Sequence, residues 1–140
     1  MPRVLCVANQ KGGVGKTTTA MNLAAGLAKA EHPTVLVDLD PQCNATSGLG
    51  CKPTARHSLV QPQPLRGSLW QTALPHLQLL PGSHSFQDVS RLTSESDEAS
   101  MLEQHLTNGL SAFDFVLIDC PPSLGQLTRA ALSASTEVLM

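Results

Sequence analysis

Basic residues are scarce in this chain: nine lysines and arginines stand against eleven aspartates and glutamates in 140 residues, a formal net charge of −2. Without a global basic field, contact with nucleic acid requires a local basic patch, and the sequence shows none. Long apolar runs are missing as well. Nothing approaches the roughly 20 residues of a membrane-spanning helix, and the opening "MPRVLCVA" is interrupted by polar residues too soon for a secretory signal. A cytosolic location with no membrane partner is the expectation. Paired metal-ligand spacings are absent too: Cys6, Cys43, Cys51 and Cys120 make no C-x-x-C, and His32, His57, His76, His84 and His105 make no H-x-x-x-H. This argues against a zinc site or a disulfide framework and leaves reduced thiols and surface or packing histidines.

What is present is enough apolar residue, 41%, for the core of one domain at most. "RVLCVA" predicts a strand over Arg3 to Ala8, and "TVLVD" one over Thr34 to Asp38. Between them Ala20, Leu23, Ala24, Leu27 and Ala28 recur at helical spacing, which predicts a helix from about Lys16 to Lys29 with one face for a sheet. Together they make a βαβ unit of parallel strands in a sheet covered on both faces. Residues 51–83 carry five prolines and the only tryptophan, Trp70, and read as an irregular excursion ending in the short strand "LQLLPG". Helical patches are expected at Phe86 to Leu92 and Glu98 to Leu110, around a loop or N-cap at "TSESDEAS". "FDFVLID" then reads as a buried strand, "SLGQLTRAALSAS" as a helix and "EVLM" as the start of another strand. The fold class expected is α/β, a mostly parallel sheet with helices on both faces.

The stretch "NQKGGVGKTTT" joins the first strand to the first helix. Its second half, Gly15-Lys16-Thr17, matches the phosphate-binding loop G-x-x-x-x-G-K-[ST], although Gln10 stands where the first glycine belongs. In such a loop successive backbone N–H groups wrap phosphates and the lysine reaches the β and γ oxygens. Gly12 and Gly13 keep the loop bare, Val14 and Gly15 complete it, and the following helix aims its positive end at the same phosphates. Thr17 is placed to put its hydroxyl on Mg²⁺, and Thr18 to bond a phosphate oxygen. An accidental G-K-T in a glycine-rich turn is the alternative. Lys11 is the oddity: an ordinary phosphate loop has no use for it, and alone it would read as a solvated loop cation.

"KGGVGKTT", "VLVDLDPQCNATSGLG" and "FDFVLIDCPPSLG", in this order and spacing, resemble the deviant Walker A ATPases, specifically the ParA/Soj chromosome- and plasmid-partitioning branch. MinD, the nitrogenase iron protein and the arsenite-efflux ATPases are relatives of that branch. The resemblance implies a P-loop NTPase fold and an ATP- and Mg²⁺-dependent ATPase that forms an ATP-gated homodimer. It further implies binding to nonspecific DNA, hence association with the nucleoid, and stimulation by a ParB-like, DNA-bound partner. In that family Lys16 acts within its own subunit and Lys11 reaches the other subunit's nucleotide.

Asp38 and Asp40 lie just past a strand's carboxyl end, where ligands bind in open α/β sheets. Two residues apart, they would point to the same side if the strand continued; a polar strand cap is the plainer reading. By resemblance Asp40 is the catalytic carboxylate that orients the attacking water, Asp38 lies near Mg²⁺ or its water shell, and Asn44 to Gly48 form a nucleotide-sensing switch. Asp119 ends the apolar run Phe115 to Ile118, as a Walker B carboxylate does when it faces Mg²⁺. Asp114, at the other end of that strand, reads as a solvated cap. Pro121, Pro122 and Gly125 stiffen a second switch loop. Cys120 lacks the companions of a cluster ligand and reads as a packed or partly exposed thiol. Trp70 reads as a local anchor and Arg129 as a solvated helix residue.

Three other readings stand beside the partitioning ATPase. One is a MinD-like membrane cycler, which needs a C-terminal amphipathic helix that this chain lacks. The others are a nonhydrolytic nucleotide-binding or dimerisation module and a truncated remnant. Residues 1–140 are expected to be the N-terminal portion of a single ATPase domain, without the adenine-contacting loop and most DNA-contacting basic residues of the family. The 140 residues alone are therefore expected to hydrolyse ATP weakly or not at all and to show no ATP-dependent DNA binding.

Overall fold

The computed structural model describes residues 2–8, 14–60, 65–84, 106, 108–121 and 126–139. The helical patches expected over 86–92 and most of 98–110 lie outside them, as do Lys11, Gly12, Gly13, Pro122 and Gly125.

Strand β1 (Arg3–Val7) leads to helix α1 (Val14–Lys29) and strand β2 (Thr34–Asp38), followed by the five-residue helix α2 (Asn44–Gly48). Two short 3-10 turns, Ser58–Val60 and Leu65–Ser68, precede β3 (Trp70–Gln71) and β4 (Leu77–Leu80). Strand β5 (Phe115–Asp119), helix α3 (Gln126–Ala134) and β6 (Glu137–Leu139) follow. The order across the sheet is β3-β4-β2-β5-β1-β6, with β3 antiparallel to β4 and every other pair parallel.

Alternation along the strands sends their side chains to two cores. Leu5, Val7, Leu36, Leu77, Leu79 and Leu117 face α1, which meets them with Ala20, Ala24 and Ala28, all buried. Methyl-sized contacts at every fourth residue let the helix lie close on the sheet, while Leu23 and Leu27 flank the contact and stay partly buried. On the opposite face Val4, Val35, Val37, Val116 and Ile118 pack with Ala131 of α3, with Leu106 and Leu110, and with Leu59 and Leu65. Those last two belong to the proline-rich stretch, which thus fills a core layer and adds the edge strand β3; Trp70, on β3, is half-buried against the α1 side. Helix α1 ends in paired backbone bonds, His32 N–H to Leu27 O at 3.1 Å and Glu31 N–H to Ala28 O at 2.9 Å, with Glu31 left-handed at φ 68°. This is the Schellman stop, with glutamate in the place glycine usually takes.

Because β5 lies between β1 and β2, Val7 pairs with Asp119 and Asp38 also pairs with Asp119. The carboxyl ends of the three strands are level. Helix α1 opens at Val14, two residues before the expected Lys16, so Lys16 sits in its first turn above that edge.

Candidate nucleotide and magnesium site

Lys16 is buried at the start of α1, and its ammonium is paired with the Asp119 carboxylate and lies 3.4 Å from Asp40 Oδ2. The Thr17 hydroxyl donates to the other Asp119 oxygen at 3.0 Å. The sequence-predicted residues Lys16, Thr17, Asp40 and Asp119 are thus brought together, although 103 residues separate Lys16 from Asp119. Thr18, the next residue, is exposed. Burial holds the Asp119 carboxyl above its ordinary value, opposed by the Lys16 ammonium and the Thr17 hydroxyl.

Asp38 has other partners. Its Oδ1 accepts the Asp40 amide at 3.1 Å, and its Oδ2 accepts both the Thr46 amide at 2.9 Å and the Thr46 hydroxyl at 2.6 Å. Strand β2 stops at Asp38, so the two aspartates do not share a strand face; the chain turns, and only Asp40, among the described contacts, reaches Lys16. The Asp40 carboxylate also accepts the Gln42 amide at 3.0 Å. Burial raises the Asp38 carboxyl, against the bonds from Thr46.

The Asp38 carboxylate caps α2. Cys43, the residue before the helix, is left-handed at φ 56° and makes no side-chain cap bond, so the orphan Thr46 amide is satisfied from β2 instead. The Thr46 hydroxyl in turn accepts the Gly82 amide at 2.8 Å. At Gly82 an added Cβ would lie 3.0 Å from Asp38 Oδ2 and from Cys43 Sγ, so glycine is what lets the end of β4 close on this cluster. Burial, with Asp38 and Asp40 nearby, pushes the Cys43 thiol up to about 11.

The proline-rich stretch reaches the same edge. His57 is fully buried, its Nε2 lies 2.8 Å from the Asp38 carbonyl oxygen, and its Nδ1 accepts the Leu59 amide at 3.2 Å. Nothing in residue spacing marked His57; its only signal is a histidine opening the run "HSLV". The other residues singled out in the sequence have plainer surroundings. Cys120 is buried against Cys6, whose hydrogen bond, with burial, pushes the Cys120 thiol up. Asp114 is exposed, 3.4 Å from His32, and Arg129 is exposed on α3. Among the described residues no three His, Cys, Asp or Glu side chains group as a metal site, and no helix is long and apolar enough to cross a membrane.

A lysine in the first turn of α1 is thus held by Asp119, the last residue of β5, and by Asp40, two residues past β2, at one sheet edge. The family model described as "AAA domain" matches residues 2–140. The chain belongs to the ParA/Soj family of P-loop ATPases. It is 44% identical over 144 residues to the chromosome partitioning protein ParA of Myxococcus xanthus, covering 99% of this chain and 51% of that protein. To the chromosome-partitioning ATPase Soj of Treponema pallidum it is 42% identical over 143 residues, covering 100% of this chain and 56% of the other. It therefore spans about half the length of the curated relatives it matches. Among solved structures it is similar to cobyrinic acid a,c-diamide synthase of Mycobacterium smegmatis with bound ADP and magnesium, at TM-score 0.86 and 38% identity, covering 99% of this chain and 58% of that one. MinD of Pyrococcus horikoshii, at TM-score 0.79 and 24% identity, shares the fold. The α/β P-loop architecture read from the sequence is the one these structures have in their N-terminal part.

Proposed function

We propose that this chain carries the Mg-ATP-binding and catalytic core of a ParA-type partitioning ATPase. The observation that carries the reading is the buried Lys16 ammonium between Asp119 and Asp40, with the Thr17 hydroxyl on Asp119. Lys16 binds the β and γ phosphates, assisted by the loop Gly12, Gly13, Val14, Gly15 and by the Thr18 hydroxyl. A neighbour of the same fold holds ADP and magnesium, and another structure of that synthase holds an ATP analogue and magnesium.

The donor chemistry at Thr17 and Asp119 suits Mg²⁺: one hydroxyl and one carboxylate, both hard oxygens, bonded to each other at 3.0 Å and leaving the other positions to phosphate and water. When bound, Mg²⁺ neutralises charge on the phosphates. Thr17 and Asp119 would hold it, while Asp38 is engaged by Thr46 and Asp40. Asp40 orients the attacking water, its carboxylate kept in place by the Gln42 amide and by Lys16. Lys11 serves a partner subunit's nucleotide, so that ATP becomes part of a homodimer interface. In the whole protein, that dimer binds nonspecific DNA in the cytoplasm and answers to a ParB-like partner.

The test is Asp40→Ala in the whole protein, read by single-turnover hydrolysis with protein in excess and by nucleotide titration. Affinity for Mg-ATP should stay within about threefold while the hydrolysis rate falls by roughly 100-fold. A variant that hydrolyses ATP at the wild-type rate removes Asp40 from the chemistry.

A further inference from the structure

The carboxyl end of β2 is gripped twice. The Asp38 side chain is held by Thr46 of α2, and the Asp38 backbone carbonyl is held by His57 from the proline-rich stretch. An amide N–H can only donate, so the Leu59 bond requires a bare Nδ1 on His57, and the proton sits on Nε2, which donates to Asp38 O. The peptide that carries this carbonyl leads directly to Leu39 and Asp40. Leu39 is itself fixed, its amide bonded to Asp119 O at 3.0 Å and its side chain buried. Asp40 is therefore the first residue of the turn whose side chain enters the Lys16 cluster, and its position depends on the rotation of the peptides before it.

We propose that His57 is a positioning residue for hydrolysis: by holding the Asp38 carbonyl it fixes the turn that aims the Asp40 carboxylate. This assigns the proline-rich stretch a part in the site, beyond filling the core with Leu59 and Leu65. It rests on the reading of Asp40 as the carboxylate that orients water. The described bonds of His57 go to the Asp38 carbonyl and the Leu59 amide, and the effect expected of it is on the rate and not on phosphate affinity.

Two near-isosteric variants separate its bonds. The amide nitrogen of Gln reaches where Nε2 sits and keeps the donor to Asp38, while the amide oxygen of Asn sits where Nδ1 does and keeps the acceptor for Leu59. Single-turnover hydrolysis should fall about tenfold or more in His57→Asn and stay within about twofold of wild type in His57→Gln. Mg-ADP affinity should be unchanged in both. Amide hydrogen exchange provides a readout that does not need turnover. In His57→Asn the Asp40 and Gln42 amides should exchange at least about tenfold faster while those of β1 and β5 keep their protection, and in His57→Gln all should stay protected. Imidazole ¹⁵N shifts of the wild type should show a single proton on Nε2.

If the 140 residues alone do not hydrolyse ATP, as is expected of them, the exchange pattern alone judges the positioning role. Equal exchange and equal rates in His57→Asn and wild type, with both folded, would overturn the proposal. So would equal losses in the Asn and Gln variants together with lowered melting temperatures, which would make His57 a packing residue only.

Discussion

On the β1–β5 side of the carboxyl edge, Asp119 is matched by a full positive charge from Lys16 and by the Thr17 hydroxyl. On the β2–β4 side, Asp38 is matched, among the described residues, by neutral donors, two amides and one hydroxyl. Both carboxyls are fully buried and both are raised by that burial. The difference lies in what each can exchange. A buried ion pair is held against a large desolvation cost and can trade partners with a ligand that brings both signs of charge, phosphate for Lys16 and a divalent cation for Asp119. Of the three donors on Asp38, one is the Asp40 amide of its own turn and two, an amide and a hydroxyl, belong to Thr46 of α2. Pulling Asp38 toward a cation would leave them unpaired in the interior. One side is built to change hands and the other to stay fixed.

Removing the cation breaks the exchangeable side. Lys16→Ala should lower Mg-ATP affinity by at least about 100-fold, and it should also destabilise the fold by about 3 kcal/mol, since two buried carboxylates lose their counter-charge. Titration calorimetry and urea unfolding read the two effects, and undiminished affinity would remove Lys16 from the phosphate site.

The fixed side should respond less and in a different way. Asp38→Asn replaces an acceptor of three bonds by a group with one acceptor and a misplaced donor, at a cost of about 2 kcal/mol near pH 4. The pH dependence then sharpens the contrast. The ordinary value for an aspartate is 3.8, and burial raises Asp38 above it in the folded state, so between those two values the native chain binds more protons than the unfolded one. The wild type's stability contribution from this group is complete below the unfolded value and declines as pH rises through the folded one. Asparagine does not titrate. The gap between wild type and Asp38→Asn in unfolding free energy should therefore be smaller at pH 7 than at pH 4; a gap that widens with pH would mean the anion, not the acid, is what this pocket favours.

Much of the charged side was legible in the sequence because its signals are local and periodic. Gly15-Lys16-Thr17 follows one apolar run and Asp119 ends another, and parallel strands joined by a helix leave both at the same end of a sheet. Helix α1 begins two residues before the expected Lys16, since Val14 and Gly15 carry no start signal beyond the glycines before them. The fixed side was less legible. The spacing of Asp38 and Asp40 puts them on one side only if the strand continues; β2 ends at Asp38, and the turn sends the two carboxylates to different partners. His57 and Gly82 act through a carbonyl and through the space beside Asp38, and such contacts leave no residue pattern. The prolines of 51–83 disguised the core leucines Leu59 and Leu65, because a chain that packs without regular structure has no hydrophobic period to read.

Under the proposed function, Asp119 faces the exchangeable cation while Asp38 is part of the scaffold. Nucleotide titrations with and without Mg²⁺, on wild type, Asp119→Asn and Asp38→Asn, test it directly. Mg²⁺ should tighten ATP binding in the wild type and in Asp38→Asn, and that tightening should fall by about tenfold or more in Asp119→Asn. If Asp38→Asn loses the Mg²⁺ effect as Asp119→Asn does, or if Asp119→Asn keeps it, the division of the edge into an exchangeable and a fixed side is contradicted.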